Sequence, residues 1–178
     1  MHRMSKSGIV AAAIIGVAQF VRFTATNPPV HSDLVAPAEV KGILRRACYD
    51  CHSNQTEWPW YSAIAPASWV VHHEVTEGRR RLNFSDWAEY ESDPDTAVQK
   101  LDEIATFVAS GDMAPWYYRL FHADARLSTS QRELVIRWIE QKTGKQHSHT
   151  ALGPAAGGIA MARSCWSLQT AKSDRQPG

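Results

Sequence analysis

Cys48, Cys51 and His52 stand within five consecutive positions, Cys48-Tyr49-Asp50-Cys51-His52. Two thiols three residues apart lie about one helical turn from each other. An imidazole follows directly. Such a set can grip one edge of a flat macrocycle through two thioether bonds while the imidazole reaches the metal at its centre. This is the spacing of c-type haem attachment. In that reading Cys48 and Cys51 are the covalent anchors and His52 is an axial ligand to the iron of one haem c. Three other chemistries use C-x-x-C. A redox dithiol needs a βαβ setting, and no strand pattern is seen. A zinc site needs a second Cys/His pair at finger-like spacing, and none follows. A plain disulfide, in an interaction domain, is the third alternative. Cys165 makes the cysteine count odd, which excludes a fully paired disulfide framework.

Haem iron held by one imidazole often takes a thioether on its other face. Met113 is the first candidate for that sixth ligand. It lies between Gly111 and Pro115, just past the end of an expected helix, where core packing does not account for a methionine. His72, His73 and His122 are the other candidates, with His73 second because it falls near Trp69 and Val70. A six-coordinate iron favours electron transfer over substrate turnover. The expectation is therefore a carrier rather than an enzyme. The alternative is a haem enzyme or gas sensor with an open iron site, peroxidase-like in its chemistry.

These residues need helices to mount them. Pro37 suits a first helical turn. From there Val40, Ile43, Leu44 and Ala47 recur at helical spacing, so a helix runs into Cys48. Ser53 to Pro66 reads as an aromatic loop with Trp58, Trp60 and Tyr61. Residues 66–78 predict a second helix that stops at Gly78. Asn83 to Trp87 is a turn into a short helix. Asp93-Pro94 caps and opens a longer one, with Leu101, Ile104, Ala105 and Val108 on its buried stripe and Gly111 at its end. Ser128 and Gln131 form a capping box for the last helix, which carries Leu134, Val135, Trp138 and Ile139 and ends at Gly144.

The N-terminus supplies an address. His2, Arg3 and Lys6 precede an apolar run from Gly8 to Val21. A basic flank before an apolar run marks a secretory signal or signal anchor. No small-residue cleavage site follows cleanly, which favours the uncleaved anchor. Positive charge stays inside, so residues beyond about 25 are exported. The expected organisation is a signal anchor or signal peptide over 1–25, a linker over 26–36, the haem-binding domain over 37–144 and a disordered tail over 145–178. The net charge of +1 leaves no electrostatic footprint for nucleic acid. The seven Trp are many for 178 residues and suggest large flat rings in the interior or along a flat cofactor. Arg79-Arg80-Arg81 reads as a solvated face, with propionate or acidic-partner binding as the alternative. His147-Ser148-His149 and Cys165 fall in the tail and carry no assigned role.

The stretch Cys48-Tyr49-Asp50-Cys51-His52-Ser53-Asn54, with Trp58-Pro59-Trp60-Tyr61, Ile64-Ala65-Pro66, Ser68-Trp69, Glu77-Gly78-Arg79 and Leu82-Asn83-Phe84-Ser85, resembles the bacterial haem-binding domain family. Met113 with Pro115-Trp116-Tyr117, then Leu127-Ser128, is similar to the family's later segment, except that Ala114 stands where the family places proline. The resemblance covers about residues 35–142. Gln19-Phe20-Val21-Arg22 is similar to the end of the family's anchored N-terminus. The resemblance implies a small exported protein with one haem. Together these readings predict an all-α, cytochrome c-like domain around one covalent haem, with an N-terminal membrane anchor helix. It would sit on the periplasmic side of a bacterial inner membrane and exchange electrons with an unidentified protein partner.

Overall fold

The computed structural model describes residues 6–21 and 23–147. Among these the chain is helical, with no strand beyond a single bridge between Ser32 and Asp86. The eight helices are α1 (Lys6–Ala18), α2 (Ala38–Leu44), α3 (Asp50–His52), α4 (Ala67–Arg81), α5 (Trp87–Glu91), α6 (Pro94–Ser110), α7 (Tyr118–Phe121) and α8 (Thr129–Thr143). The all-α expectation holds for the described residues.

The caps explain the boundaries of the longer helices. Asp93 accepts from the backbone N–H of Asp95, and Pro94 fills the first turn, where no N–H is required. Ser128 and Gln131 make the reciprocal box at the start of α8. Gly111 and Gly144 end α6 and α8 at φ +73° and +72°, a region that side-chain-bearing residues rarely enter. Gly111 has a second reason to be glycine, because a Cβ there would lie 3.2 Å from the buried Arg132 guanidinium on α8.

α8 packs on α6 and α2, and α5 packs on α6. The core between them holds Leu34, Ile43, Leu44, Trp87, Leu101, Val108, Val135 and Ile139, all at most 2% exposed. Tyr49 stacks on Phe84 at 4.6 Å, and Phe84 on Trp87 at 6.1 Å. Part of the aromatic complement is thus core. The last helix thus packs against the helix that leads into the cysteine motif.

Two features depart from the expected layout. Helix α4 does not stop at Gly78 but continues to Arg81, because the glycine lies in ordinary helical backbone. Residues 26–36, expected as a linker, are extended but tied along their length. Asn27 Nδ2 donates to Thr56 O, Pro29 O accepts from Asn54, and the backbone N–H groups of His31 and Ser32 both donate to Ser85 O. Leu34 is buried in the core. This strap is part of the folded unit.

Among the described residues no helix is long and apolar enough to cross a membrane, α1 having 13 residues. Of the expected tail, residues 145–147 turn back onto α6 and α8, with Lys145 paired to Asp102 and the His147 N–H donating to Glu140. Positions 148–178, including Cys165, lie outside the described residues.

Candidate functional site

The cysteine motif sits at the end of a helical rod. Between α2 and α3 the rod widens into a five-residue turn of π geometry, Arg45–Tyr49. Such widened turns often occur at functional positions. Here the widening keeps Ala47 and Tyr49 in the core while Cys48 is only half-buried. Cys51 and His52 follow in α3, and Ser53 breaks the helix in extended conformation.

Helix α4 approaches this rod closely. A Cβ on Gly78 would stand 2.3 Å from the carbonyl oxygen of Cys51 and 2.9 Å from its carbon. Only a glycine permits that contact. The same close approach brings Gly78 O to 3.0 Å from Nδ1 of His52, and Leu82 O lies at 3.2 Å. The backbone N–H of Phe84 donates to His52 O at 2.8 Å. Residues 78–84 thus cradle His52 from both sides.

Its hydrogen bonds decide what His52 can do. With carbonyl oxygens as the only partners of Nδ1, that nitrogen carries the proton. Nε2 is then left as an unprotonated lone pair with no hydrogen bond from the described residues. An imidazole fixed in this tautomer by a backbone carbonyl is prepared to ligate a metal. Burial also lowers the His52 pKa, against the opposing pull of the two carbonyl oxygens.

Cys48 and Cys51 are both free thiols. Burial pushes each up to about 12, with Glu74, Asp50 and Cys48 adding to the rise at Cys51. A redox dithiol of the thioredoxin type needs the opposite, a thiolate stabilised near neutral pH. The environment of this pair therefore argues against that reading. The donor set fits haem: two neutral thiols within one turn and a tautomer-locked imidazole next to them.

The segment after Met113 folds back on the motif. Tyr118 donates from its hydroxyl to Asp50 Oδ2 at 2.6 Å, between the two cysteines in sequence. Burial and this carboxylate keep the Tyr118 phenol protonated. His122 stacks on Tyr118 at 4.0 Å, and its Nε2 is 3.0 Å from the Tyr61 hydroxyl. A cleft of about 540 Å³ opens on this side, lined by Tyr49, Asp50, Trp58, Pro59, Tyr118 and His122 among others.

The structure separates the candidate ligands. Met113 is half-buried in the loop between α6 and α7, five residues before the Tyr118–Asp50 contact. His122 is engaged by Tyr61 and Tyr118. His73 is exposed on α4 beside Trp69 and Val70. His72 is the buried one, at 9% exposure, stacked between Phe23 and Trp58 with its Nε2 unpartnered.

Asn54 and Arg79 tie the loop after the motif to the strap. Asn54 is buried, with its amide N–H donating to Pro29 O and its amide oxygen accepting from Asn83. Arg79 is not part of a solvated face: it donates to Ser53 O, Thr26 O, Asn27 Oδ1 and Thr56 Oγ1, clamping the strap to the loop after the motif. Arg80 and Arg81 pair with Glu77 in the more exposed positions. The residues that sequence reasoning missed are Gly78 and Leu82. The dense match around Glu77-Gly78-Arg79 was the available signal, but a glycine at an expected helix end has a simpler local explanation.

A family model described as a haem-binding domain matches residues 13–141. No curated protein and no solved structure matches the chain.

Proposed function

The chain belongs to the haem-binding domain family, and from that premise we propose that it is a membrane-tethered, monohaem c-type electron carrier on the periplasmic side of a bacterial inner membrane. The observation that carries the reading is His52, with Nδ1 held by Gly78 O and Leu82 O and Nε2 left free. Cys48 and Cys51 would hold the haem through thioether bonds to its two vinyl groups. His52, through Nε2, and Met113 would be the protein's ligands to the iron. Bound haem supplies a one-electron iron couple.

The protein's contribution is positional. The Gly78 and Leu82 carbonyls fix the direction and basicity of the imidazole. The widened turn presents Cys48, and Tyr118 holds Asp50 between the two anchors. With both His52 and Met113 as ligands the iron would have no open site, which suits electron transfer. The basic flank before the apolar N-terminal run supports export and tethering. The electron partner is another protein.

A pyridine haemochrome assay of the chain matured with haem-attachment machinery tests the covalent link. The expected spectrum is that of two saturated vinyl groups, and haem removable by acidified solvent refutes it. Replacing Met113 by Ala should convert the reduced spectrum from six- to five-coordinate or open it to water. An unchanged spectrum removes Met113 as ligand. Rapid carbon monoxide binding by the reduced native protein would instead favour an open-site enzyme or gas sensor.

A further inference from the structure

Helix α1 leaves the domain bare. Its described side chains from Ser7 to Val17 are exposed, with Ile9, Val10, Ile14, Ile15 and Val17 spread over more than half of its circumference. A helix apolar on most sides, with its described apolar side chains exposed, needs an apolar surrounding. Where α1 ends, the chain is fastened rather than hinged. The Gln19 side chain makes a reciprocal pair with the backbone of Ala65, Nε2 donating to its oxygen at 3.1 Å and Oε1 accepting from its N–H at 3.0 Å. Trp69 Nε1 donates to Val21 O at 3.4 Å. Phe23 stacks on His72 at 5.3 Å. Three ties over five residues fix the exit of α1 against the start of α4.

The surface around that junction is apolar. Phe20 is 86% exposed, and Val21, Phe23, Ile64, Val70 and Trp69 join it. Along the exposed side of α4 the character then changes. Trp69 and Val70 lie nearest α1, His73 follows, and Glu77, Arg80 and Arg81 form an ion-paired cluster at the far end. The gradient runs from apolar to charged with distance from α1, as expected where a protein meets a bilayer, and tryptophan is enriched at that level.

We propose that the face formed by Phe20, Val21, Phe23, Ile64, Trp69 and Val70 rests on the lipid surface, and that Gln19 is the positioning residue that locks the domain in this orientation. The occupant is the bilayer into which α1 runs, because the face is continuous with α1 and its ties leave no slack between them. The inference rests on the tethering reading given under Proposed function.

The test uses the full chain bound to vesicles of phosphatidylcholine with phosphatidylglycerol, probed by hydroxyl-radical footprinting of the Trp69 side chain. Two variants are compared with the native chain: Gln19→Ala, which removes the lock, and Val70→Asp, which leaves the lock but places a charge at the lipid level. Both should still co-float with vesicles through α1, and in both Trp69 should oxidise several-fold faster than in the native chain. Equal Trp69 oxidation in native chain and either variant overturns the proposal while leaving the tether intact. Protection of Trp69 that grows with protein-to-lipid ratio assigns the face to a second copy and also overturns it. Failure of the native chain to co-float removes the tether and this inference together.

Discussion

Replacing Gly78 by Ala should loosen the grip on His52, and the size of the effect follows from the contacts. The new Cβ would stand 2.3 Å from Cys51 O, whereas ordinary contact begins near 3.4 Å. The obstructing atoms are backbone, so no side chain can swing aside. Helix α4 and the motif must separate by about 1 Å, which stretches the 3.0 Å contact between His52 Nδ1 and Gly78 O beyond hydrogen-bond range. Overpacking of this kind costs about 1–3 kcal/mol. Losing a net hydrogen bond adds about 1 kcal/mol. Helix propensity returns up to ~1 kcal/mol in alanine's favour. The balance is a loss of about 1–3 kcal/mol, read as a lower urea midpoint at unchanged slope. Gly42 provides the control. It also lies inside a helix, but its nearest obstruction is the flexible Arg46 side chain at 3.5 Å. Gly42→Ala should therefore be neutral or stabilise by up to ~1 kcal/mol. If both substitutions shift the midpoint in the same favourable direction, the close approach at Gly78 is not what restricts that position.

Other measurements probe the surroundings of the motif. Arg79→Lys keeps the charge but loses the fork that serves four acceptors, so it should destabilise by ~2 kcal/mol in urea titration; a change within error would make the clamp incidental. Ser128→Ala removes the α8 capping box and should cost ~1 kcal/mol in the same assay, without altering any haem spectrum. Burial lowers the His72 pKa from its usual 6.5. Below that value the unfolded chain binds the proton that the folded chain resists, so His72 subtracts stability as pH falls from about 6.5. His72→Phe should flatten the slope of urea midpoint against pH just below 6.5, and an unaltered slope would show that folding does not change how His72 binds its proton.

The parts of the fold readable from sequence are those whose cause is local. Asp93-Pro94, Ser128 with Gln131, and glycines at 111 and 144 act on backbone groups within one turn, so their pattern is sufficient. The apolar spacing of Val40, Ile43, Leu44 and Ala47 likewise fixes which face of the motif helix is buried. What the sequence hid depends on partners far along the chain. The strap over residues 26–36 has linker composition, and what holds it down comes from elsewhere in the chain, Arg79, Asn54, Thr56 and Ser85 among others. Gly78 satisfies the same local rule as a helix stop, but its role is set by Cys51, 27 positions away. The thiol-imidazole set could be singled out in the sequence because the proposed attachment chemistry demands fixed spacing. The tautomer of His52 was not, since it follows from two carbonyls contributed by another helix end.

Helix α4 touches both ends of the molecule's task. Trp69, near its start, is tied to the exit of α1, and Gly78, near its end, holds His52. These residues are nine apart in one continuous helix, about 14 Å at ~1.5 Å per residue. A helix is stiff in length even where loops around it move. In the proposed lipid-facing arrangement α4 is a ruler that sets how far His52 stands from the bilayer surface. For the proposed electron carrier, transfer falls off steeply with separation, so this helix would restrict which partners can come close enough to exchange an electron.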